Sequence, residues 1–581
     1  MSPLGHSRPA SRRRTAAVLA AALVAAVGPL ATVGAPSASA HDNGVALKPP
    51  MGWNTWNSFE CNISEQLIRS AADNLVSSGM AAAGYDTVVV DDCWFDPQRD
   101  AQGNLRGNAA RFPRGMKDLG DYLHAKGLKF GIYEVPTDLT CAQRNHQYSG
   151  ATGSRGHEQQ DANTFASWGV DFLKYDWCSD EGTLAEQIAG FTTMRDALRN
   201  TGRPIVYSIN PNSFHQDKTG ATYDWSSIAN MWRTTEDISA DWDKPKTTNA
   251  YSMGVMNIVR YNGPLGSQAG PGHWNDPDMM EVGVKNKNTG LESMTPDEYR
   301  SHFSLWAQMA SPLVAGNTLP DMTPEVRDIL TDADVIAVDQ DSLGKAARIV
   351  ANTPTQLLTV RELANGDRSV TLTNTGSTTA TVTTSVAELG IAGAPSYTVK
   401  DLWSGATTTT TGALSATLAP HATAMYRLTP GGQISATQAL PADGTYEIAN
   451  ATTPGQVIDD PGPTKAANTQ MITWDRNQGT NQRWILTRNT DGTYSLKNLY
   501  SNLCLDISGA STSAGAAAIQ WYCNAGSTNQ KFDLVPTTAN VYKLVAKHSG
   551  LAVTTSGTAK GSLLTQQAAA PNQTWTVVRT G

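Results

Sequence analysis

The chain is 581 residues long and carries a formal net charge of −8. That length exceeds what one core fills and points to roughly three or four domains. The acidic balance argues against a nucleic-acid partner, which would favour a basic stripe.

Residues 1–40 read as a secretion signal. Arg8, Arg12, Arg13 and Arg14 form its basic region, 16–27 its apolar region, and Ala38-Ser39-Ala40 a small-residue cleavage site. The apolar run is too short to span a membrane permanently, and no later stretch reaches about twenty apolar residues. The expectation is a secreted, extracellular protein without a membrane partner. In an exported chain the six cysteines read as disulfides. The absence of CxxC and of paired-histidine spacing argues against zinc, so neither a metal nor a cofactor is expected. Cys504 and Cys523 lie close together in a late segment and are expected to pair. Cys61, Cys93, Cys141 and Cys178 sit beside charged strand ends.

From about 47 to 340, apolar strand candidates alternate with amphipathic helices. Met51-Gly52-Trp53-Asn54-Thr55-Trp56 opens the series. A helix over 64–78 leads to a strand over 85–90 that ends in Asp91-Asp92-Cys93-Trp94. A helix over 117–126 precedes 128–133, and one over 158–168 precedes Val170-Asp171-Phe172-Leu173-Lys174-Tyr175-Asp176-Trp177-Cys178. A helix over 184–200 leads to a strand over 204–209. Then come Met231-Trp232-Arg233-Thr234-Thr235-Glu236-Asp237, Trp274-Asn275-Asp276-Pro277-Asp278 and Pro312-Leu313-Val314-Ala315-Gly316. That is about eight βα units, the number a TIM barrel needs. The predicted barrel occupies 41–340.

Near Ala346 the texture changes. Thr- and Val-rich alternating runs predict an antiparallel β-sandwich over 341–429. Thr429-Pro430-Gly431-Gly432 reads as a linker, placed at 430–436. Over 437–581, Gln482-Arg483-Trp484, Gln530-Lys531-Phe532 and Gln573-Thr574-Trp575 recur at roughly 45 residues, the mark of a repeat module.

Active sites of such barrels lie at the carboxyl ends of the strands. Asp91, Asp92, Asp176, Asp237, Asp276 and Asp278 gather there, with Lys174, Arg233, Tyr133, Trp53 and Trp56 at the same level. Carboxylates bind hydroxyls and aromatic rings stack on pyranose faces, so the rim suits a sugar. Two carboxylates flanking a bond are what glycoside hydrolysis requires. The plainer alternative, helix N-capping in βα loops, weighs most on Asp86 and Asp276 and least on Asp176 and Asp237. No GxxxxGK[ST] or GxGxxG follows a strand, which argues against phosphate.

Together these motifs, in register across 47–430, resemble glycoside hydrolase family 27, the family of α-galactosidases and α-N-acetylgalactosaminidases. The resemblance implies retention through a covalent glycosyl-enzyme, with Asp176 as nucleophile and Asp237 as general acid/base. It implies that Asp91 and Asp92 hold the galactose 4- and 6-hydroxyls and that Trp56 walls the pocket. Tyr133, Lys174, Cys178, Arg233 and Asp278 complete the implied subsite. It also implies pairing of Cys61 with Cys93 and of Cys141 with Cys178. One departure concerns the sugar's 2-position: many α-galactosidases have Cys-Glu-Trp after the fifth strand, where this chain has Ser208-Ile209-Asn210-Pro211-Asn212. A 2-acetamido sugar therefore stays open beside galactose. Paired Asp91-Asp92 favours galactose over β-L-arabinopyranose. A non-catalytic carbohydrate-binding protein is the reading from another class.

The tail resembles a ricin-type β-trefoil, a carbohydrate-binding module of family 13. The resemblance implies sugar-binding residues Asp506, Trp521, Asn524 and Gln530 in its middle repeat and Asp459, Trp474 and Asn477 in its first. The third has Val553 where the aspartate belongs. An oligosaccharide or polysaccharide is the expected partner.

Overall fold

Eight short stretches become parallel strands: β1 (Met51–Asn54), β2 (Thr87–Val90), β3 (Lys129–Glu134), β4 (Phe172–Asp176), β5 (Val206–Asn210), β6 (Met231–Arg233), β7 (Trp274–Asp276) and β8 (Leu313–Ala315). They pair in the order β8-β1-β2-β3-β4-β5-β6-β7. Past the end of β7, Met280 bridges Ala315 of β8 and donates its N–H to Val314 O at 2.7 Å, which closes the ring. The fold is a (β/α)8 barrel. The computed structural model describes residues 42–213, 218–244, 252–286, 289–434, 440–538, 540–570 and 573–581. The predicted signal over 1–40 and residues 435–436 of the predicted linker lie outside the described residues.

Helix starts follow local chemistry. Ser64 accepts the N–H of Leu67 and starts the helix Glu65–Ser77. Thr183 with Glu186, and Thr295 with Glu298, form capping boxes at Leu184–Asn200 and Pro296–Gln308. The regular alternation breaks once: among the described residues, no helix lies between β5 and β6.

The inside of the barrel is layered. Val89, Phe172, Val206, Met231 and Trp274 form an apolar cluster. Four of these sit two residues before Asp91, Lys174, Arg233 and Asp276. Successive strand side chains alternate between faces, so those charges rise from the inner face directly above the apolar layer.

The antiparallel sandwich follows, from Arg348–Asn352 to Thr423–Pro430. Pro430 belongs to its last strand, and Gly431 donates its N–H to Ser396 O at 2.8 Å, so the sandwich runs beyond 429 into the predicted linker. The helix Pro296–Gln308 joins the sandwich to the barrel. Gln308 donates to Ser369 at 3.0 Å and Ser301 to the carbonyl of His421 at 2.6 Å.

The tail is a β-trefoil whose core holds Trp484, Phe532 and Trp575, the apolar residues of the three predicted repeats. Its first strand, Gly444–Asn450, pairs with its last, Trp575–Arg579, which closes the domain. Ala351 pairs with Arg579 and ties the trefoil to the sandwich. Disulfides join Cys61 to Cys93, Cys141 to Cys178 and Cys504 to Cys523.

Candidate active site

A cavity of about 690 Å³ opens at the carboxyl ends of the strands. Trp56, Asp91, Asp92, Tyr133, Lys174, Asp176, Arg233, Asp237 and Asp278 all line it. Lys174 and Asp176 share the inner face of β4. The Lys174 ammonium donates to Asp91 at 2.8 Å and stands 3.9 Å from Asp176. Asp91 also accepts from Asn54 at 2.7 Å. Asp92 accepts the N–H groups of Cys93 at 2.7 Å and Ala142 at 2.8 Å.

Arg233 is the second cation. It donates to Asp237 at 3.0 Å and pairs with Asp278 at 2.9 Å. Asp278 holds a left-handed φ of 86°, fixed by its carboxylate accepting the N–H of Ile238 at 2.8 Å and its carbonyl accepting from Trp306 at 3.0 Å. Backbone strain of this kind costs on the order of 1–3 kcal/mol and persists only where surrounding bonds over-determine it.

Asp237 does not end a barrel strand, as the sequence suggested. β6 stops at Arg233, and Asp237 lies in the short strand Asp237–Ile238, paired with Ser252–Met253. The Thr234 N–H still bonds Asp276 O at 2.9 Å, after which the chain leaves the barrel. That excursion leaves the Asp237 side chain 43% exposed while Asp176 is only 8% exposed.

Burial sets the charge state of Asp176. Burial raises the Asp176 carboxyl to about 7, against the pull of Lys174 and Arg233. Its Oδ1 is buried and has no hydrogen-bond partner among the described residues. Burial likewise raises Asp92 to about 6, opposed by the Ala142 N–H. Burial alone would lower Lys174, but Asp176 and Asp91 outweigh it and hold its pKa above the usual lysine value. The cavity wall carries more carboxylates than cations, a field that favours developing positive charge.

Two predicted residues stand behind the wall. The Cys178 sulfur accepts from the Tyr133 hydroxyl at 3.3 Å and orients that ring. Asn210 spends its amide on Ser213 Oγ at 2.7 Å, and Ser213, not Asn210, lines the cavity. The sulfurs of Cys141 and Cys178 lie near Asp176 as a three-residue cluster, but they are bonded to each other and offer no thiolate to a metal. Sequence reasoning missed Asn54, Ser213 and Glu281. Glu281 lines the cavity and accepts from Asn57. Asn54 ends β1, the position where β4, β6 and β7 carry Asp176, Arg233 and Asp276.

In the trefoil, Gln530 donates to Asp506 at 2.8 Å and accepts the N–H of Asn524 at 2.7 Å. Trp521 is 41% exposed beside them. The first lobe repeats this: Gln482 donates to Asp459 at 2.7 Å and accepts the Asn477 N–H at 2.8 Å, with Trp474 39% exposed. Gln482 was visible in the repeat but not singled out as a binding residue.

A carboxylate-rich mouth on this barrel, with two acids in contrasting environments, defines the class as glycoside hydrolase. Residues 48–341 match the family model described as alpha galactosidase A, and 353–428 the alpha galactosidase C-terminal beta sandwich domain. Residues 438–521 match the ricin-type beta-trefoil lectin domain-like model. An alpha-galactosidase of Cyamopsis tetragonoloba is 42% identical over 390 residues, covering 67% of this chain and 88% of that one. The structure of alpha-galactosidase I from Mortierella vinacea aligns with a TM-score of 0.61 and 33% identity, over 68% of this chain and 100% of that one. That of the Saccharomyces cerevisiae enzyme with raffinose aligns at 0.60 and 31%, over the same shares. The chain belongs to the alpha galactosidase A family.

Proposed function

We propose that the protein is an exo-acting α-galactosidase that releases terminal, non-reducing α-D-galactosyl residues from galacto-oligosaccharides and galactomannan-like polysaccharides with retention. The observation that carries this reading is the Asp176 carboxylate, with one oxygen unpartnered, buried in the cavity wall beside Lys174. Asp176 attacks the anomeric carbon while Asp237 protonates the leaving oxygen. Asp237, now ionised, deprotonates the water that releases galactose from the ester. Its half-exposed carboxyl supports proton exchange with solvent.

Asp91 and Asp92 take the 4- and 6-hydroxyls and Trp56 walls the ring. Tyr133, Lys174, Arg233 and Asp278 complete the subsite, with Cys178 and Asn210 acting from behind it. Because the small Ser213 faces the cavity at the end of β5, a 2-substituent has room there, and an α-N-acetylgalactosaminide is the second substrate to weigh.

In this reading 41–340 is catalytic, the sandwich that follows, running to Gly431, braces it, and 437–581 anchors the enzyme through the first two trefoil lobes. Anchoring raises effective substrate concentration. Three disulfides and the Arg-rich leader support export. Among the described residues no helix is long and apolar enough to cross a membrane.

The test compares p-nitrophenyl α-D-galactopyranoside, the α-N-acetylgalactosaminide and the β-L-arabinopyranoside on wild type and Asp176→Ala. Galactoside turnover abolished by the substitution is expected. Turnover of none would leave a carbohydrate-binding protein instead.

A further inference from the structure

A second cavity, of about 950 Å³, lies where barrel, sandwich and trefoil meet, away from the strand ends that form the active site. Its charge is opposite in kind. Arg260, Lys345, Arg348, Arg368, Arg476 and Arg483 line it, against only Glu362 and Glu447 among the acids. Part of this charge is neutralised: Arg260 bonds Asp243 at 2.8 Å, Lys345 bonds Glu362 at 2.9 Å, and Arg476 pairs with Glu447 at 2.6 Å. Arg348 and Arg483 have no such ion pair among the described residues.

Two of the guanidiniums are left short of acceptors. Nη1 of Arg348 and Nη1 of Arg476 are both buried, with no hydrogen-bond partner among the described residues. The Arg476 side chain is only 7% exposed, and Arg348 otherwise donates to the carbonyl of Leu389. Burial, against the attraction of Glu362, holds Arg348 down to about 10. A buried N–H without an acceptor costs about 1–3 kcal/mol, more when charged, and an incoming oxyanion recovers that cost. Planar carboxylates match guanidinium edges best.

The remainder of the wall suits a polyol rather than a bare ion. Gln478, Asn352, Thr353, Thr576 and Thr580 add amide and hydroxyl groups, and Thr580 Oγ1 is itself buried without a partner among the described residues. The volume sits at the upper end of the range, on the order of 300–1,000 Å³, that holds drug-sized ligands. A lone tetrahedral anion would leave most of it unfilled.

We propose that this three-domain cavity is a binding site for an acidic saccharide. The guanidiniums of Arg348 and Arg476 hold the carboxylate of a uronosyl unit, and the amide and hydroxyl side chains hold its ring hydroxyls. The site is separate from both the galactosyl pocket and the exposed tryptophans of the trefoil.

Calorimetry on the full-length protein tests this with a panel of mannuronate, glucuronate and galacturonate trisaccharides, their neutral counterparts, and orthophosphate. At least one uronate should bind at millimolar concentration or below, more weakly as salt is raised, while its neutral counterpart does not. Arg348→Gln should weaken that binding about tenfold or more. Gln478→Glu, at an exposed position, should do the same by repulsion without disturbing any buried group. Both should leave p-nitrophenyl galactoside turnover unchanged. The Trp474→Ala/Trp521→Ala double variant should bind the uronate as wild type does. The proposal is overturned by an absence of uronate binding, by binding that neither charge variant weakens, or by loss of binding in the tryptophan variant. Orthophosphate bound as tightly as the uronate would also overturn it, by reassigning the cavity to a small inorganic anion.

Discussion

Lys174 and Asp176 leave the same face of β4, and the lysine ammonium stands 3.9 Å from the carboxylate while it donates to Asp91 at 2.8 Å. One cation thus serves two acids to which the proposed mechanism gives different duties, attack for Asp176 and hydroxyl binding for Asp91. Burial pushes Asp176 up to about 7, and Lys174 is the strongest force pulling it back.

Replacing that cation should be visible in the pH profile. In Lys174→Met the Asp176 carboxyl rises above about 7, so the acidic limb of kcat/KM moves to higher pH. Activity near pH 6 should fall by about a hundredfold or more. Lys174→Arg keeps the charge and should restore the position of the limb. An unmoved limb in the methionine variant would mean that Lys174 only binds Asp91.

Asp176→Asn should abolish turnover and yet stabilise the protein at neutral pH. The ordinary value is 3.8 and the folded value about 7, so the fold holds the proton more tightly than the unfolded chain does. The contribution of Asp176 to wild-type stability therefore declines as pH rises from about 4 to about 7. The variant lacks that decline, and its Tm should exceed wild type by about 2–4 °C at pH 7.5, a gap that closes toward pH 4. Scanning calorimetry at the two pH values decides it.

Asp237→Gly should separate leaving groups. A nitrophenolate departs without much protonation, whereas a sugar alkoxide does not, so raffinose hydrolysis should drop about 10²–10⁴-fold and the aryl galactoside far less. Azide should restore the aryl rate by displacing Asp176 from the galactosyl-enzyme, and so yield the α-galactosyl azide. Equal losses on both substrates, without rescue, would remove Asp237 from the proton-transfer role.

Trp474 and Trp521 are the exposed rings of the two lobes that carry an Asp–Gln pair. Trp474→Ala and Trp521→Ala should each weaken retention on insoluble galactomannan several-fold, and the double variant should lose it. Soluble aryl galactosides should be cleaved at wild-type rates throughout. Affinity electrophoresis separates the lobes.

The Cys141–Cys178 bridge joins residues 37 positions apart and sets the Cys178 sulfur 3.3 Å from the Tyr133 hydroxyl. Its double replacement by serine should cost about 2–4 kcal/mol of stability in urea unfolding. It should also raise KM for the galactoside, because the Tyr133 hydroxyl loses its sulfur acceptor.

The fold was legible because the barrel writes itself in a two-residue rhythm. Phe172 then Lys174, Met231 then Arg233, and Val89 then Asp91 each step from apolar layer to charged rim on one face. The sandwich and trefoil were legible from turn spacing and repeats. What escaped had no periodic signature. Asp237 sits on an excursion, because the backbone exchange with β7 ends at Thr234, a tertiary event that local sequence does not mark. Asn210 stands in the stretch expected to meet the sugar's 2-position, yet three positions on a hydroxyl captures its amide. The active-site pairing of Asn54 with Asp91, 37 positions apart, depends on β1 and β2 being neighbours in the ring. The guanidinium N–H groups left without acceptors at the junction were equally invisible, since nothing in Arg348 or Arg476 tells which domains will close over them.

Both ends of the barrel strand series meet, Met51 opposite Leu313, and both ends of the trefoil meet, Tyr446 opposite Arg579. A chain delivered from its N-terminus cannot close the first ring until Ala315 has emerged, nor the second until Arg579 has. The loop entropy of each closure is met late and all at once. For the intervening period the inner faces of β1 and β2 lie uncovered, and apolar strand surface in that state is open to aggregation.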